Sequence, residues 1–221
     1  MKKEITIVLF DLDNTLYKHD TEGQWLQHLI DLGVLDKKEN NRKVKYFDEE
    51  YVKGRLKIDK YFEYVLYPLT QHKKSTLHRW RKDFIKKRIK PKISKKAHSL
   101  VNKHKKLKHK LIMVTAANSF VAEPIAQFFG MHHMIASKVI EKKGQYTNKT
   151  EKNRPFKKGK VISVKKLIKK EKYNVKEIWS YSDSHNDLPL LKLGDHSIAV
   201  NPDNKLRKFA VKKNWKIIKT Y

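Results

Sequence analysis

Two aspartates one residue apart, Asp11 and Asp13, close an apolar run and open the string DLDNT at 11–15. Carboxylates leaving a buried strand can divide labour on a phosphate ester. One attacks phosphorus to give an acyl phosphate, and the other protonates the leaving oxygen and later activates water. The competing reading is structural, with both aspartates capping a turn or the next helix. A second acidic string, SDSHND at 182–187, sets Asp183 and Asp187 four apart. Joined by Asp11, they make an oxygen-rich set suited to magnesium, a hard cation that keeps waters and binds few carboxylates. Without a cation such crowding is costly. Capping of a helix by Asn186 or Asp187 is the simpler alternative and is compatible with the metal role. Thr115, after LIMV, offers a hydroxyl to a phosphoryl oxygen. A fixed cation opposite the metal is also needed to balance phosphoryl charge. Lys160 is the candidate, with Lys157 and Lys158 as rivals.

These groups act together only if one architecture carries them to one place. The run EITIVLFD at 4–11 is β-branched and nearly continuously apolar, as expected of a strand buried on both faces of a parallel sheet. From 21 to 88 the spacing turns helical, with Trp25, Leu26, Leu29 and Ile30, then Tyr61, Phe62, Val65 and Leu66, at three-and-four intervals. This reads as a helical insertion ending near Pro91, which disfavours helix at Lys90. Beyond it strands and helices alternate: helix 97–104, strand 111–115, helix 120–129, strand 134–136, a small hairpin at 139–147 around Lys143-Gly144, and helix 159–172. A second cycle follows, with strand 178–182, helix 187–193, strand 197–200, helix 204–211 and strand 215–218. That rhythm predicts an α/β domain with a parallel sheet, where ligands bind at the carboxyl ends of strands. All three polar clusters fall at such ends.

Composition narrows the classes further. With 221 residues, 39% of them hydrophobic, the chain can bury a core as one large domain or a core with a modest second lobe. The absence of cysteine excludes disulfides, thiolate zinc sites and a cysteine nucleophile. The apolar run at the start is too short for a signal peptide or membrane span, which predicts a cytoplasmic protein. Fifty-two Lys and Arg against 23 Asp and Glu leave a net charge of +29. One reading is a diffuse solvated surface that binds nucleic acid weakly and without specificity. The other is a nucleic-acid or anionic-surface binder, or a phosphatase of a polyanionic substrate, using the basic segment 73–90 with Trp80, Phe84 and Ile85 interleaved. His98, His104 and His109 lie on basic helical sequence without zinc-site spacing and read as surface residues.

DLDNT at 11–15, VTAANSF at 114–120, GKV at 159–161 and YSDSHNDLPLL at 181–191 resemble, in order and spacing, the four motifs of the haloacid dehalogenase superfamily. The position of the helical insertion is similar to that of the type IB, phosphoserine-phosphatase-like branch. The resemblance implies a Rossmann-like doubly wound parallel sheet, with core 1–17 and 92–221 and a helical cap, 18–91, inserted between the first and second motifs. It also implies a magnesium-dependent phosphatase acting on a small phosphorylated metabolite, such as phosphoserine or histidinol phosphate, through an aspartyl phosphate. By the same resemblance Asp11 is the nucleophile, and Asp13 is the acid/base, lending its carbonyl to the metal. Thr115 and Lys160 bind phosphate, Asp183 ligates magnesium, and Asp187 supports the metal or orients Lys160. Asp20 fits the place of a substrate contact, with His19, Trp25, Arg55 and Tyr61 as alternatives.

Overall fold

The computed structural model describes residues 3–53 and 55–221. Strand β1 (Glu4–Phe10) is followed by four helices, α1 (Thr21–Asp31), α2 (Lys37–Val52), α3 (Ile58–Gln71) and α4 (Lys74–Phe84). Helix α5 (Lys95–Lys106) returns the chain to the sheet. Next come β2 (Lys110–Asn118), α6 (Ser119–Phe128), β3 (His133–Ser137), the hairpin β4 (Val139–Lys142) and β5 (Gln145–Thr150), and α7 (Lys158–Glu171). The chain finishes with β6 (Asn174–Ser182), α8 (Leu188–Leu191), β7 (His196–Val200), α9 (Asn204–Lys212) and β8 (Lys216–Ile218). Six strands form one parallel sheet in the order β3-β2-β1-β6-β7-β8. This is the expected doubly wound α/β fold.

The sheet is parallel because each connection has a helix to bury, and burial on both faces explains the unbroken apolar run of β1. Val8 and Phe10 enter the larger core beneath α5, α6 and the inserted helices, whereas Ile7 and Leu9 face Val164 of α7 and Leu190 of α8. All four are fully buried. Register then aligns the strand ends: Phe10 pairs with Met113 of β2 and with Tyr181 of β6. Asp11, Thr115 and Asp183 follow within two residues of these positions, so they emerge along one edge.

Between β1 and β2 every described element is helical, as the spacing predicts. The expected break near Pro91 is different in form. After α4 the helix widens into a π turn over Ile85–Ile89 and tightens into a 3-10 turn over Lys90–Lys92, with Lys90 still right-handed helical. Burial of Ile85, Ile89 and Ile93 holds this path against the local preference of a residue before proline. The hairpin turns at Lys143 and Gly144, both at positive φ (49° and 75°), where glycine costs least. Gln145 of that hairpin donates to the carbonyls of Leu69 and His72, tying the hairpin to the inserted helices.

The histidine expectation is corrected. His104 is fully buried, its Nε2 2.8 Å from the Tyr181 hydroxyl and its Nδ1 3.0 Å from His109 Nδ1. His98 packs on Phe128 and Phe129. Helix α5 sets His98 against the end of α6 and His104 against the sheet, where the His104 imidazole supplies both area and a hydrogen-bonding tip. The apolar residues of the basic segment are likewise spent on packing: Leu77 and Phe84 are fully buried and Ile85 nearly so.

Candidate active site

At the end of β1 the backbone N–H of Asp11 donates to Tyr181 O, so the peptide after the strand is still paired with β6. The chain then turns tightly, with Thr15, Leu16 and Tyr17 all donating to Leu12 O and Asn14 at positive φ. Within this turn the Thr15 hydroxyl lies 3.0 Å from Asp11 Oδ2 and 3.3 Å from Asp183 Oδ1, and it accepts the Asp183 N–H. Thr15 therefore joins the two acidic strings. Its part of the DLDNT string was visible, but its bridging role depends on β6 lying beside β1.

Lys160 reaches the same point from the first turn of α7. Its Nζ lies 2.7 Å from Asp11 Oδ1 and 2.6 Å from Asp187 Oδ2, and only 3% of the residue is exposed. A Cβ at Gly159 would lie 2.2 Å from the Arg154 carbonyl oxygen, so glycine permits the close turn from which Lys160 points inward. Of the three lysines considered, Lys157 and Lys158 are exposed. Asp187 also accepts from Ser182 Oγ at 2.8 Å. It stands at the N-cap position of α8 but its side chain makes no cap bond there, and Ser184 caps the preceding turn by accepting from Asn186 N. Thr115 is buried where the β2–β3 register slips between Val114 and Asn118, and its Oγ1 accepts from Ala117 N. Its hydroxyl proton remains to be given.

The cluster is electrostatically tense. Burial, then the charges of Asp11 and Asp187, push Asp183 up to about 8. Asp11 is raised by burial against the opposing pull of Lys160. Burial alone would lower Lys160, but Asp11 and Asp187 outweigh it and keep the ammonium charged. Asp13 is raised well above the ordinary carboxylate range by burial and by Asp20, although Thr21 donates to its Oδ1 through both the backbone N–H, at 2.9 Å, and the hydroxyl. Among the described residues no three His, Asp or Glu side chains form a closed metal cage. The pair Asp11 and Asp183, strained by burial and like charge, fits a cation held by few protein groups and several waters.

A cleft of about 680 Å³ opens beside Asp13 toward the inserted helices, lined also by Asp20, Glu22, Tyr61, Phe62 and Arg154. Asp20 caps α1, accepting from Glu22 N and Gly23 N, and borders the cleft with the same side chain. Among the alternatives, Tyr61 lines the cleft. Trp25 is buried with Phe84 and Phe120, Arg55 is an exposed partner of Glu50, and His19 packs on Tyr17. Sequence reasoning missed Glu22 and Asn118. Glu22 Oε1 accepts from Asn118 N at 2.9 Å and Asn118 Nδ2 at 2.6 Å. Both lie in quoted or neighbouring motif sequence, but nothing local signals a link across 96 positions.

A carboxylate-rich crevice at the carboxyl ends of a doubly wound sheet, with one buried lysine, defines a hydrolase class, and the comparisons agree. The chain belongs to the haloacid dehalogenase-like hydrolase family, whose profile matches residues 8–192. It is a phosphatase of that family. It is 31% identical to the histidinol-phosphatase of Neisseria meningitidis serogroup C over 216 residues, covering 96% of this chain and 97% of that protein. A phosphoserine phosphatase of Mycobacterium tuberculosis matches at 31% identity over 48% of this chain and 34% of its own length. A solved protein of unknown function from Bordetella pertussis Tohama I superposes with TM-score 0.94 at 33% identity, covering 99% of this chain and all of that one. A phosphoserine phosphatase solved as a phospho-aspartyl intermediate analogue shares the fold, with TM-score 0.67 at 20% identity over 99% of this chain and 95% of that chain.

Proposed function

We propose that the protein is a magnesium-dependent phosphomonoesterase that works through an aspartyl phosphate on Asp11, and that residues 18–91 act as a cap over a core of 1–17 and 92–221. The observation that carries this reading is the convergence of Lys160 on Asp11 and Asp187, with Thr15 and Asp183 on the opposite side of the same carboxylate.

Asp11 and Asp183, with the Asp13 main-chain carbonyl, would hold magnesium, and Asp187 would serve it indirectly by orienting Lys160. When bound, the metal neutralises carboxylate and phosphoryl charge, so that two anions can approach. Lys160 and the Thr115 hydroxyl hold the phosphoryl oxygens. A carboxylate oxygen of Asp11 attacks phosphorus, the bond from phosphorus to the ester oxygen breaks, and Asp13 gives its proton to the departing oxygen. The raised proton affinity of Asp13 suits a group that must be protonated at neutral pH. Asp13 then takes a proton from water as that water attacks the acyl phosphate, releasing inorganic phosphate and restoring Asp11. Asp20 borders the cleft where the leaving group lies. The two named relatives act on small phosphorylated metabolites by their names, histidinol phosphate and phosphoserine, and substrates of that size fit the cleft.

Release of phosphate from p-nitrophenyl phosphate tests this reading. Activity should vanish on exhaustive chelation, return with magnesium, and be lost in Asp11→Asn. Mass spectrometry of trapped enzyme should place phosphate on Asp11; phosphate on another residue, or undiminished turnover without metal, would overturn it.

A further inference from the structure

The loop after β7 touches both acidic strings. Asn201, the residue after the strand, stands at positive φ (44°) and donates from Nδ2 to the Asn14 carbonyl at 2.8 Å and to Thr220 Oγ1 at 2.7 Å. Two residues on, the Asp203 N–H donates to the Asp183 carbonyl at 2.9 Å, and Asp203 Oδ2 accepts from His185 N at 2.7 Å. Thr220, two residues past β8, completes the arrangement. Its N–H donates to Asn201 Oδ1 at 2.9 Å, its hydroxyl donates to the Thr15 carbonyl at 2.7 Å, and its own carbonyl accepts from Ser94 Oγ. Only 1% of Thr220 is exposed, so water is not at hand to replace a lost partner. The Tyr221 hydroxyl adds a second donor to Asn14 O, 3.0 Å away.

These bonds go to the part of the DLDNT turn that its own hydrogen bonds leave loose. The N–H groups of Thr15, Leu16 and Tyr17 all turn to Leu12 O, and the carbonyls of Asn14 and Thr15 have no backbone partner among the described residues. Asn14 is left-handed, φ 54°, a conformation that is unfavourable for a residue other than glycine unless its surroundings hold it. Two donors on Asn14 O match the two lone pairs of that carbonyl. The consequence reaches the site through Thr15. Its single hydroxyl proton lies between Asp11 Oδ2 and Asp183 Oδ1, with Oγ1 3.0 Å from the first and 3.3 Å from the second. A shift of the Thr15 backbone therefore changes the spacing of two carboxylates that repel each other. Asn201 and Asp203 hold one acidic string each, so the loop that carries them fixes one string relative to the other.

We infer that Asn201 and Thr220 are positioning residues for catalysis: by holding the carbonyls of Asn14 and Thr15 they fix the Thr15 hydroxyl between Asp11 and Asp183, and so set how tightly that pair takes magnesium. This rests on the phosphatase reading above and adds to it two residues that lie 187 and 205 positions from the ones they hold.

The test measures the magnesium concentration for half-maximal hydrolysis of p-nitrophenyl phosphate and, without substrate, the rise in melting temperature on adding magnesium. Thr220→Val keeps the shape and removes the hydroxyl. It should raise the half-saturating magnesium concentration about tenfold and shrink the magnesium-dependent rise in melting temperature to match. High magnesium should restore most of kcat, because the cation itself then draws the two carboxylates together. Thr220→Ser, which keeps the hydroxyl, should behave as wild type. Asn201→Ala should resemble Thr220→Val, and the double variant should be no worse than Asn201→Ala alone, since both act on the same turn. Tyr221→Phe removes one of the two donors on Asn14 O and should shift the magnesium requirement about threefold. An unchanged requirement in folded Thr220→Val, or in Tyr221→Phe where Thr220→Val does not fold, overturns the inference; lowered stability without magnesium would then mark a structural tie alone. Thr220→Ser that matches Thr220→Val also overturns it, because packing and not the hydroxyl would be responsible. Wild-type protein silent toward p-nitrophenyl phosphate with magnesium present sinks the phosphatase reading, and this assignment falls with it if magnesium also fails to raise the melting temperature.

Discussion

Thr21, the first residue of α1, donates both its backbone N–H and its hydroxyl to one oxygen of Asp13. The inserted helices thus grip the second carboxylate of the strand-end pair while the core holds the first. Position and proton affinity of Asp13 are therefore set partly from outside the sheet.

Thr21→Val keeps shape in a fully buried site but removes the hydroxyl. Leaving a buried carboxylate short of a donor costs about 1–3 kcal/mol, so kcat should fall roughly tenfold with a smaller change in KM. Steady-state kinetics checks this, and a variant with unaltered kcat would remove Thr21 from any role in placing Asp13.

Lys160 balances Asp11 and Asp187 at 2.7 and 2.6 Å in a buried setting. Lys160→Met should abolish turnover and destabilise the metal-free protein by about 3 kcal/mol at neutral pH, since it leaves two buried carboxylates facing each other. The deficit should shrink on acidification, because protonation removes their repulsion. Urea titrations at pH 7 and pH 5 compare the two, and a deficit independent of pH would contradict the charge argument.

His104 is held down to about 4, first by burial and then by His109 and Lys103. A histidine that resists protonation when folded contributes full stability above its unfolded value near 6.5. That contribution is lost as pH falls from there toward 4, by up to about 3 kcal/mol. His104→Gln, which keeps a partner for the Tyr181 hydroxyl, should flatten this part of the stability curve. Melting temperatures between pH 7 and pH 4 for both proteins measure it, and parallel curves would exclude His104 as the source.

The segment 73–90 turns its buried Leu77, Phe84, Ile85 and Ile89 toward the core, leaving charge as its outward chemistry. Oligonucleotide binding should therefore be indifferent to sequence and fall steeply between low and physiological salt. Hydrolysis of a small ester should be affected far less, because contacts inside a cleft are poorly screened. Parallel fluorescence-anisotropy and phosphatase titrations separate the two, and tight salt-resistant binding would show a built nucleic-acid surface.

The sequence by itself determined the alternation of strands and helices and the pairing of polar strings with strand ends. A continuous β-branched run such as that of β1 can be satisfied only between two covered faces, and Lys143-Gly144 supplies the backbone freedom that a tight hairpin demands. By lacking cysteine it also limits the candidate nucleophiles to carboxylates, hydroxyls, histidine and lysine. Tertiary structure decided which of these groups meet. Lys160 and Asp11 are 149 positions apart, and Glu22 and Asn118 are 96 apart. Their contacts depend on β1 lying between β2 and β6, and on where the inserted helices rest, and no local periodicity encodes either. His104 shows the same limit from the other side: its helix reads as basic and solvated, yet the sheet beneath it turns that one imidazole inward to Tyr181. Local spacing reports which face of an element a residue occupies, but the partner that covers the face is chosen by the packing of distant segments.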